Sequence, residues 1–246
     1  MKYKFNDFLI DGIKAKILAK KYSTPLYCYS LKKIKENVKN FQKNFKTIDP
    51  LICFAVKANP NKIILRQMGK LGLGADVVSI GELIRAMKAG IKPNKIVFSG
   101  VGKTSHELIH AIKKNILLIN AESKSEILEI ERIAKTKKKK VNVGVRLNPN
   151  TDAKTLSQIS TGKKENKFGI PEKDLIHIVK YIKNSKYLNL KCLSVHIGSQ
   201  ILDHAPYEKM LKVVKRIINK TKFKFEYIDL GGGMGIDYEN KNKKLN

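Results

Sequence analysis

Arginine and tryptophan are scarce in this chain, and their scarcity disfavours one class of partner. Only five of the 50 basic residues are arginines, tryptophan is absent, and 21 acidic residues leave a formal net charge of +29. A charge of this size invites a nucleic-acid or anionic-membrane hypothesis. Arginine, the side chain that reads bases and phosphates with paired hydrogen bonds, is too rare to support it. We therefore expect no nucleic-acid and no membrane partner, and interpret the lysine excess as a general compositional bias.

The chain also lacks a cysteine framework and a long apolar run. Cys28, Cys53 and Cys192 lie far apart, each in an apolar strand-like run, and match neither a disulfide framework nor a metal-binding spacing. No apolar run approaches the roughly 18 residues that span a membrane, and the first residues hold no signal-peptide core. The 42% hydrophobic content is enough for a real core. These features predict a globular protein of a reducing, cytoplasmic compartment, without a metal site.

Apolar strand-like runs alternate with helical patterns from residue 51 onward. Ser79, Thr104 and Ser123 each precede a glutamate by three residues, which is the spacing of a capping box and marks the start of a helix. Strands that alternate with helices in this way predict an α/β fold of parallel βα units. The strands are expected at about 51–57, 75–79, 95–100, 116–120, 141–148, 190–198 and 225–231.

The number of strands bears on the architecture. A closed barrel of parallel βα units has eight strands, and the pattern here shows one fewer. After the last predicted strand only a glycine-rich stretch, 231–236, and a polar tail, 237–246, remain. The sequence leaves two alternatives, an open seven-stranded sheet and a (β/α)8 barrel without its eighth strand.

The first 50 residues precede this repeating pattern. They predict a helix at about 12–21, an extended segment Pro25–Ser30 that forms a strand outside the main sheet, and a helix at about 31–45. We interpret residues 1–30 as an N-terminal extension and residues 31–246 as an incomplete barrel domain.

Polar residues follow the predicted strands, and in a parallel barrel they gather at one rim, where catalytic groups lie. Lys57 ends the first strand, beside a loop rich in Asn and Pro; it either extends into solvent or lies in a pocket as a tunable amine. His196 lies in the apolar sixth strand, either as a core histidine or as a flat ring that faces a ligand. The other members of this rim set are Asp76, Ser79, Gly100, Lys103, Asn120, Arg146, Asn148, Ser199 and Gln200.

Gly231, Gly232 and Gly233 follow the seventh strand. Consecutive glycines let the backbone approach an anion closely, and the turn after this strand is a common phosphate site in barrels. The alternative is a flexible loop. A rim lysine, a flat ring and a phosphate loop together suggest pyridoxal 5′-phosphate, bound through Lys57 for chemistry on an amino acid.

Six stretches of the chain also carry a family resemblance. They are Phe54–Asn59, Leu73–Leu83, Ile96–Thr104, Ile159–Gly162 with Lys167–Ile170, His196–Gln200, and Gly231–Gly233. In this order they resemble the family of ornithine, diaminopimelate and arginine decarboxylases, which are pyridoxal-phosphate enzymes with an alanine-racemase-like barrel. The resemblance covers nearly the whole chain.

The resemblance implies a role for each matching residue. Lys57 is implied to bind the cofactor aldehyde and His196 to stack on the cofactor ring. Ser199 and the run Gly231–Gly233 are implied to bind its phosphate. The positions that line the cofactor and support the site are Asp76 and Arg146.

The implied reaction is the decarboxylation of meso-2,6-diaminopimelate at its D-configured centre, which gives L-lysine and carbon dioxide in the last step of lysine biosynthesis. Ser160–Gly162 and Gln200 favour this substrate over ornithine or arginine within the resemblance. Two other assignments stay open: a decarboxylase for ornithine or arginine, and a non-catalytic homeostasis protein that binds the same cofactor on a barrel alone. A basic nucleic-acid binder rests only on net charge.

Family members continue beyond the glycine loop. They add an eighth strand, whose acidic residue pairs with the pyridine nitrogen, and a β-domain that completes the active site partly across a homodimer interface. Pro25–Ser30 is expected to pair with that β-domain. We therefore expect these 246 residues to be the N-terminal portion of a decarboxylase, poorly folded or inactive in isolation. One local departure is Leu156, where the family has histidine.

Overall fold

The computed structural model of the chain describes residues 2–4, 6–45, 47–153, 160–162 and 168–238. Two sheets are present, a small antiparallel sheet at the N-terminus and a large parallel one. Eight α-helices lie among the described residues, and most of them alternate with the strands of the large sheet. This order confirms the predicted α/β class.

The strands and helices have the following bounds. The small sheet contains β1 (Lys2–Lys4), β2 (Asp7–Ile10) and β3 (Ile13–Lys14). The large sheet contains β4 (Cys53–Ala55), β5 (Gly74–Val77), β6 (Ile96–Phe98), β7 (Leu118–Ala121), β8 (Val141–Asn148), β9 (Ile170–Pro171), β10 (Leu188–Val195) and β11 (Tyr227–Asp229). The helices are α1 (Ala15–Tyr22), α2 (Leu31–Lys43), α3 (Lys62–Lys70), α4 (Ile80–Lys88), α5 (Ser105–Lys113), α6 (Lys124–Thr136), α7 (Glu172–Asn184) and α8 (Ala205–Thr221).

The large sheet follows chain order from β4 to β11, and all its pairings are parallel. Each of the seven predicted strands is present, and the two-residue strand β9 pairs only with the end of β8. In the described part of the chain, β4 and β11 are the two edges and do not pair with each other. The prediction of seven barrel-type strands is confirmed.

The sheet curls strongly between its edges. Asn120 Nδ2 on β7 lies 2.9 Å from Asp229 Oδ2 on β11, although the two strands are separated by β8 and β10. In a flat sheet three strand spacings amount to about 14 Å. A direct side-chain contact over that separation requires a barrel-like curvature, so the strands form an incomplete barrel.

Alternate residues of each strand face the helices or the inside of the curl, as the period of two demands. The outward side packs a large apolar core against α3 to α8, with Leu65, Leu83, Phe98 and Leu108 fully buried. The inward side forms a separate cluster of Val97, Leu118 and Cys192, against which Cys53 and Tyr227 pack. Two cysteines therefore fill the inside of the curl as apolar side chains. In the described part of the chain, all three cysteines are free thiols.

The helix caps refine the capping-box prediction. Thr104 and Glu107 form the complete reciprocal box. Ser79 and Ser123 accept the expected N–H bonds from Glu82 and Glu126. The carboxylates of these two glutamates, however, accept from the residue before each cap, Val78 N–H and Glu122 N–H respectively. The glutamates therefore tie each strand end to the following helix.

The N-terminal region differs from the prediction. Residues 2–4 and 7–14 form an antiparallel meander that sequence analysis missed, and the hairpin between β2 and β3 turns at Asp11-Gly12, both with positive φ (49° and 88°). An Asp-Gly pair is the usual signal for this turn. The predicted helix at about 12–21 is Ala15–Tyr22. Pro25–Ser30 is not a strand within the described chain, because no neighbouring strand is there to pair with it; its pairing with a further domain stays a prediction.

None of the helices in the described part of the chain is both long enough and apolar enough to cross a bilayer.

Candidate active site

The predicted site residues lie at the carboxyl ends of the strands of the large sheet. Because all its strands are parallel, their carboxyl ends open on the same side. Lys57 lies in a 3-10 turn directly after β4, and His196 directly after β10. The remaining members are Asp76 on β5, Arg146 on β8, Ser199 in the segment after β10, and Gly231–Gly233 after β11.

Lys57 extends into solvent at the mouth of the curled sheet. The residue before it, Val56, is fully buried, and Val56 O accepts the N–H of Asn59 to close the turn. Asn59 and Asn61 then each accept a backbone N–H, and Asn61 caps α3. The Asn-rich loop thus closes the turn that carries Lys57 and begins α3. Within the described chain the amine makes no hydrogen bond or ion pair, so it is available to a ligand.

Asp76 and His196 both lie within the electrostatic reach of Lys57. The pKa of Asp76 is raised to about 6: burial raises it most, a hydrogen bond from Ser99 lowers it, the charge of Asp229 raises it and the charge of Lys57 lowers it. The pKa of His196 is lowered to about 4, chiefly by burial and then by the charges of Arg146 and Lys57, while a hydrogen bond with the Gly231 backbone raises it. The charge of Lys57 therefore acts on both groups, and the imidazole is neutral at neutral pH.

The His196 ring has a free nitrogen. Nδ1 is buried and has no hydrogen-bond partner among the described residues. The backbone of His196 is fixed, because its carbonyl accepts from Thr161 Oγ1 at 2.9 Å. The predicted segment Ser160–Gly162 runs alongside, with a bridge from Ser160 to Gly198. A buried nitrogen without a hydrogen-bond partner is a natural contact for a ligand.

Arg146 is held by a residue that sequence analysis missed. Its Nη1 donates to Oε1 of the buried Glu122 at 2.7 Å, and its guanidinium lies 4.9 Å from the centre of the Phe168 ring. The other oxygen of Glu122 accepts the N–H of Gly169 at 3.0 Å. Glu122 follows β7 directly, so its place at a strand end is the signal that pointed to it.

A polar layer lies inside the curl, one residue below the rim. Asn120 Nδ2 donates to Asp229 Oδ2 at 2.9 Å and lies 3.3 Å from Ser99 Oγ, and Ser194 Oγ donates to the same Asp229 oxygen at 2.9 Å. A Cβ at Gly144 would lie 2.0 Å from Asn120 Oδ1, so only glycine fits there. The layer joins β7, β10 and β11 with Ser99, the residue after β6. It holds these strands together across the curl, beneath the site.

The glycine run has a fixed conformation. All three glycines have positive φ, at 71°, 68° and 84°. A Cβ on Gly231 or Gly233 would meet backbone oxygens at 2.4 and 2.0 Å, whereas one on Gly232 would meet nothing within 4 Å. The Gly231 N–H already donates to Asp229 Oδ1 at 2.9 Å. In this conformation the N–H groups of Gly232 and Gly233 are the donors left in the run, since no other described residue accepts from them.

Other residues of the predicted rim set have structural roles. Lys103 Nζ, only 1% exposed, donates to Gly100 O, Asn120 O and Glu126 Oε1. Asn148 Nδ2 donates to Phe168 O.

Gln200 forms two hydrogen bonds with the backbone of Ile236: its Nε2 donates to Ile236 O, and its Oε1 accepts the Ile236 N–H. Ser199 is exposed and follows Gly198, the residue that faces Gly233. Leu156, the local departure, lies outside the described residues.

The residues present fit pyridoxal 5′-phosphate. The rim offers a free amine, a neutral ring with an unpartnered nitrogen, and a glycine run with an open side at Gly232. No group of three or more His, Cys, Asp or Glu side chains in the described chain can hold a metal ion.

The fold and this rim define an α/β-barrel domain with a free amine and a glycine loop at the carboxyl ends of its strands. Residues 31–246 match the family model described as pyridoxal-dependent decarboxylase, pyridoxal binding domain. The chain belongs to this family of pyridoxal-dependent decarboxylases. The resemblance found in the sequence is confirmed, and the cofactor of the family is pyridoxal 5′-phosphate.

Individual relatives of the chain belong to the same family. Diaminopimelate decarboxylase of Helicobacter pylori strain J99 is 47% identical over 224 residues, which are 89% of this chain and 55% of that protein. The enzyme of Aquifex aeolicus strain VF5 is 41% identical over 248 residues, 99% of this chain and 58% of that protein. The crystal structure of diaminopimelate decarboxylase from M. jannaschii in complex with L-lysine matches with a TM-score of 0.90 at 37% identity, over 98% of this chain and 58% of that one. The chain spans little more than half the length of these relatives.

Proposed function

We propose that this chain forms the cofactor-binding part of an enzyme that decarboxylates meso-2,6-diaminopimelate to L-lysine and carbon dioxide. The observation that carries the proposal is that Lys57, His196 and the glycine run all lie at the carboxyl ends of strands of the large sheet. The names of the relatives and the L-lysine in one of their structures support the substrate class.

Each rim residue has a proposed role. Lys57 binds the cofactor covalently through its amine, and His196 lies against the cofactor ring as a neutral imidazole. Gly232 and Gly233 present N–H groups to the phosphate, beside the Ser199 hydroxyl. The bound cofactor supplies a conjugated ring that accepts the electron pair left when the carboxylate departs as carbon dioxide.

Asp76 on β5 and Arg146 on β8 support the site. Arg146 is a buried cation held by Glu122, and its charge adds to the effect of burial in lowering the pKa of the neighbouring His196. Asp76 lies near Lys57 as an acid that changes protonation near neutral pH. We assign both residues to orienting the cofactor.

The arrangement of the whole protein is also a proposal. We infer a cytoplasmic location, which three unpaired cysteines support, and a homodimer, which follows from the family resemblance. Residues 1–30 act as an extension whose exposed Tyr22, Tyr27 and Tyr29 pack against a further part of the protein. Residues 31–246 are the barrel domain.

Covalent labelling tests the proposal. We expect incubation of the purified chain with pyridoxal 5′-phosphate, followed by borohydride reduction and peptide mass mapping, to place the label mainly on Lys57. Lys57→Ala removes that label, whereas Lys62→Ala, at an exposed position nearby, leaves it. A label spread evenly over exposed lysines in the native chain would contradict the proposal.

Substrate choice is tested by carbon dioxide release. We expect no turnover of diaminopimelate by these 246 residues alone, and turnover of diaminopimelate in preference to ornithine and arginine by the whole protein. Release from ornithine or arginine at a higher rate would reassign the substrate.

A further inference from the structure

Two carbonyl groups of the glycine run, those of Gly232 and Gly233, are held by residues that follow β10. Tyr207, in the first turn of α8, donates its hydroxyl hydrogen to Gly232 O at 3.0 Å. The N–H of Ile201 donates to Gly233 O, also at 3.0 Å. The carbonyl oxygens of Gly232 and Gly233 are therefore turned toward α8 and the segment before it.

The direction of these carbonyls fixes the direction of the adjacent N–H groups. The peptide bond between Gly232 and Gly233 is trans, and in a planar trans peptide the C=O of one residue and the N–H of the next point in opposite directions. The Tyr207 hydroxyl thus directs the Gly233 N–H away from α8. Glycine samples both signs of φ with little preference, so without this bond the peptide plane is freer to turn its oxygen toward the open side.

The Gly233 N–H belongs to the part of the run that faces the site. A Cβ on Gly233 would lie 3.2 Å from Cε1 of His196, so the residue is a direct neighbour of the imidazole. Gly232 beside it is open, with nothing within 4 Å of a Cβ. Successive N–H groups of residues with left-handed backbone form a concave anion site.

We propose that Tyr207 is a positioning residue for phosphate: its hydroxyl locks the Gly232–Gly233 peptide so that the Gly233 N–H faces the anion. This inference rests on the proposed use of the glycine run as the phosphate site of the cofactor. Tyr207 is half-buried, and burial raises its pKa to about 12, so the hydroxyl keeps its proton and stays a donor over the whole physiological range.

The test is Tyr207→Phe, which removes one oxygen atom and leaves the ring. The matched control is Tyr181→Phe on α7, whose hydroxyl bonds to Glu131 away from the glycine run. Wild type and both variants are titrated with inorganic phosphate, pyridoxal 5′-phosphate and pyridoxal, and the Gly233 amide resonance is followed by NMR during the phosphate titration.

We expect Tyr207→Phe to weaken binding of phosphate and of pyridoxal 5′-phosphate by about twofold to tenfold, the usual effect of one lost hydrogen bond. Binding of pyridoxal, which lacks the phosphate, stays as in wild type, and Tyr181→Phe changes none of the three. Wild-type phosphate affinity in Tyr207→Phe, an equal loss for pyridoxal, or no phosphate binding by the wild-type chain would each overturn the inference. If phosphate binding depends on Tyr207 but Lys57 is not labelled by the cofactor, the inference stands and the proposed function fails.

Discussion

Glu122 and Arg146 form a buried ion pair between the ends of β7 and β8. Oε1 and Nη1 are 2.7 Å apart, and the two side chains are 3% and 8% exposed. The second oxygen of Glu122 accepts the Gly169 N–H, so one carboxylate fixes both the guanidinium and the backbone that leads into β9. Removing one partner from such a pair leaves an uncompensated buried charge.

Glu122→Gln is expected to destabilise the chain strongly. The amide keeps the size of the side chain but leaves the Arg146 charge unbalanced, and such a change costs about 3 kcal/mol. Urea unfolding measures the effect, and Glu129→Gln is the control, because Glu129 pairs with Arg132 on the surface of α6 and exposed pairs contribute little. Equal stability losses in the two variants would show that Glu122 is not a buried anchor.

Asp76→Asn is expected to change how stability depends on pH. The folded pKa of Asp76 is raised from 3.8 to about 6, so between these values the folded state binds a proton that the unfolded state has lost. The contribution of Asp76 to the free energy of unfolding therefore falls as pH rises through this window, by about 3 kcal/mol in total, and is constant above it. Urea unfolding from pH 4 to 7 should show this fall in the difference between wild type and Asp76→Asn. Asp174→Asn, at an exposed position on α7, is the control, and a difference that does not vary with pH contradicts the assignment.

His196→Asn is expected to change the pH dependence in the opposite direction. Because the folded pKa is lowered from 6.5 to about 4, the unfolded state binds a proton between these values that the folded state does not. The contribution of His196 is present above about pH 6.5 and is lost as pH falls toward 4. The same unfolding series measures it, with His204→Asn at an exposed histidine as control. A variant that loses stability on acidification as steeply as wild type would refute the prediction.

Gly232→Ala and Gly233→Ala are expected to differ sharply. A methyl group on Gly233 would lie 2.0 Å from Gly198 O, whereas one on Gly232 enters open space. Both residues have left-handed backbone, which costs an alanine about 1 kcal/mol. Thermal unfolding should therefore show a small loss for Gly232→Ala and a much larger one for Gly233→Ala. Similar melting temperatures would mean that the glycine run does not pack against the segment after β10.

The spacing of apolar and capping residues was sufficient to predict most of the fold. The seven strands from Cys53 to Asp229 and the helix starts at Ser79, Thr104 and Ser123 were predicted correctly, because buried strands and capping residues have strong local signals. The N-terminal meander was missed, although Asp11-Gly12 has the sequence of a tight hairpin turn. Its strands are two to four residues long, which is too short for an alternating pattern to be distinguished from a loop.

The sequence by itself determined that Lys57, His196 and the glycine run share one rim, because parallel strands place their carboxyl ends on the same side. Tertiary structure alone decided what surrounds them. Glu122, Asp229 and Tyr207 come from separate elements, and only the curl of the sheet and the packing of α8 bring them to their partners. The raised pKa of Asp76 and the lowered pKa of His196 have the same origin, since burial depends on neighbours distant in the chain.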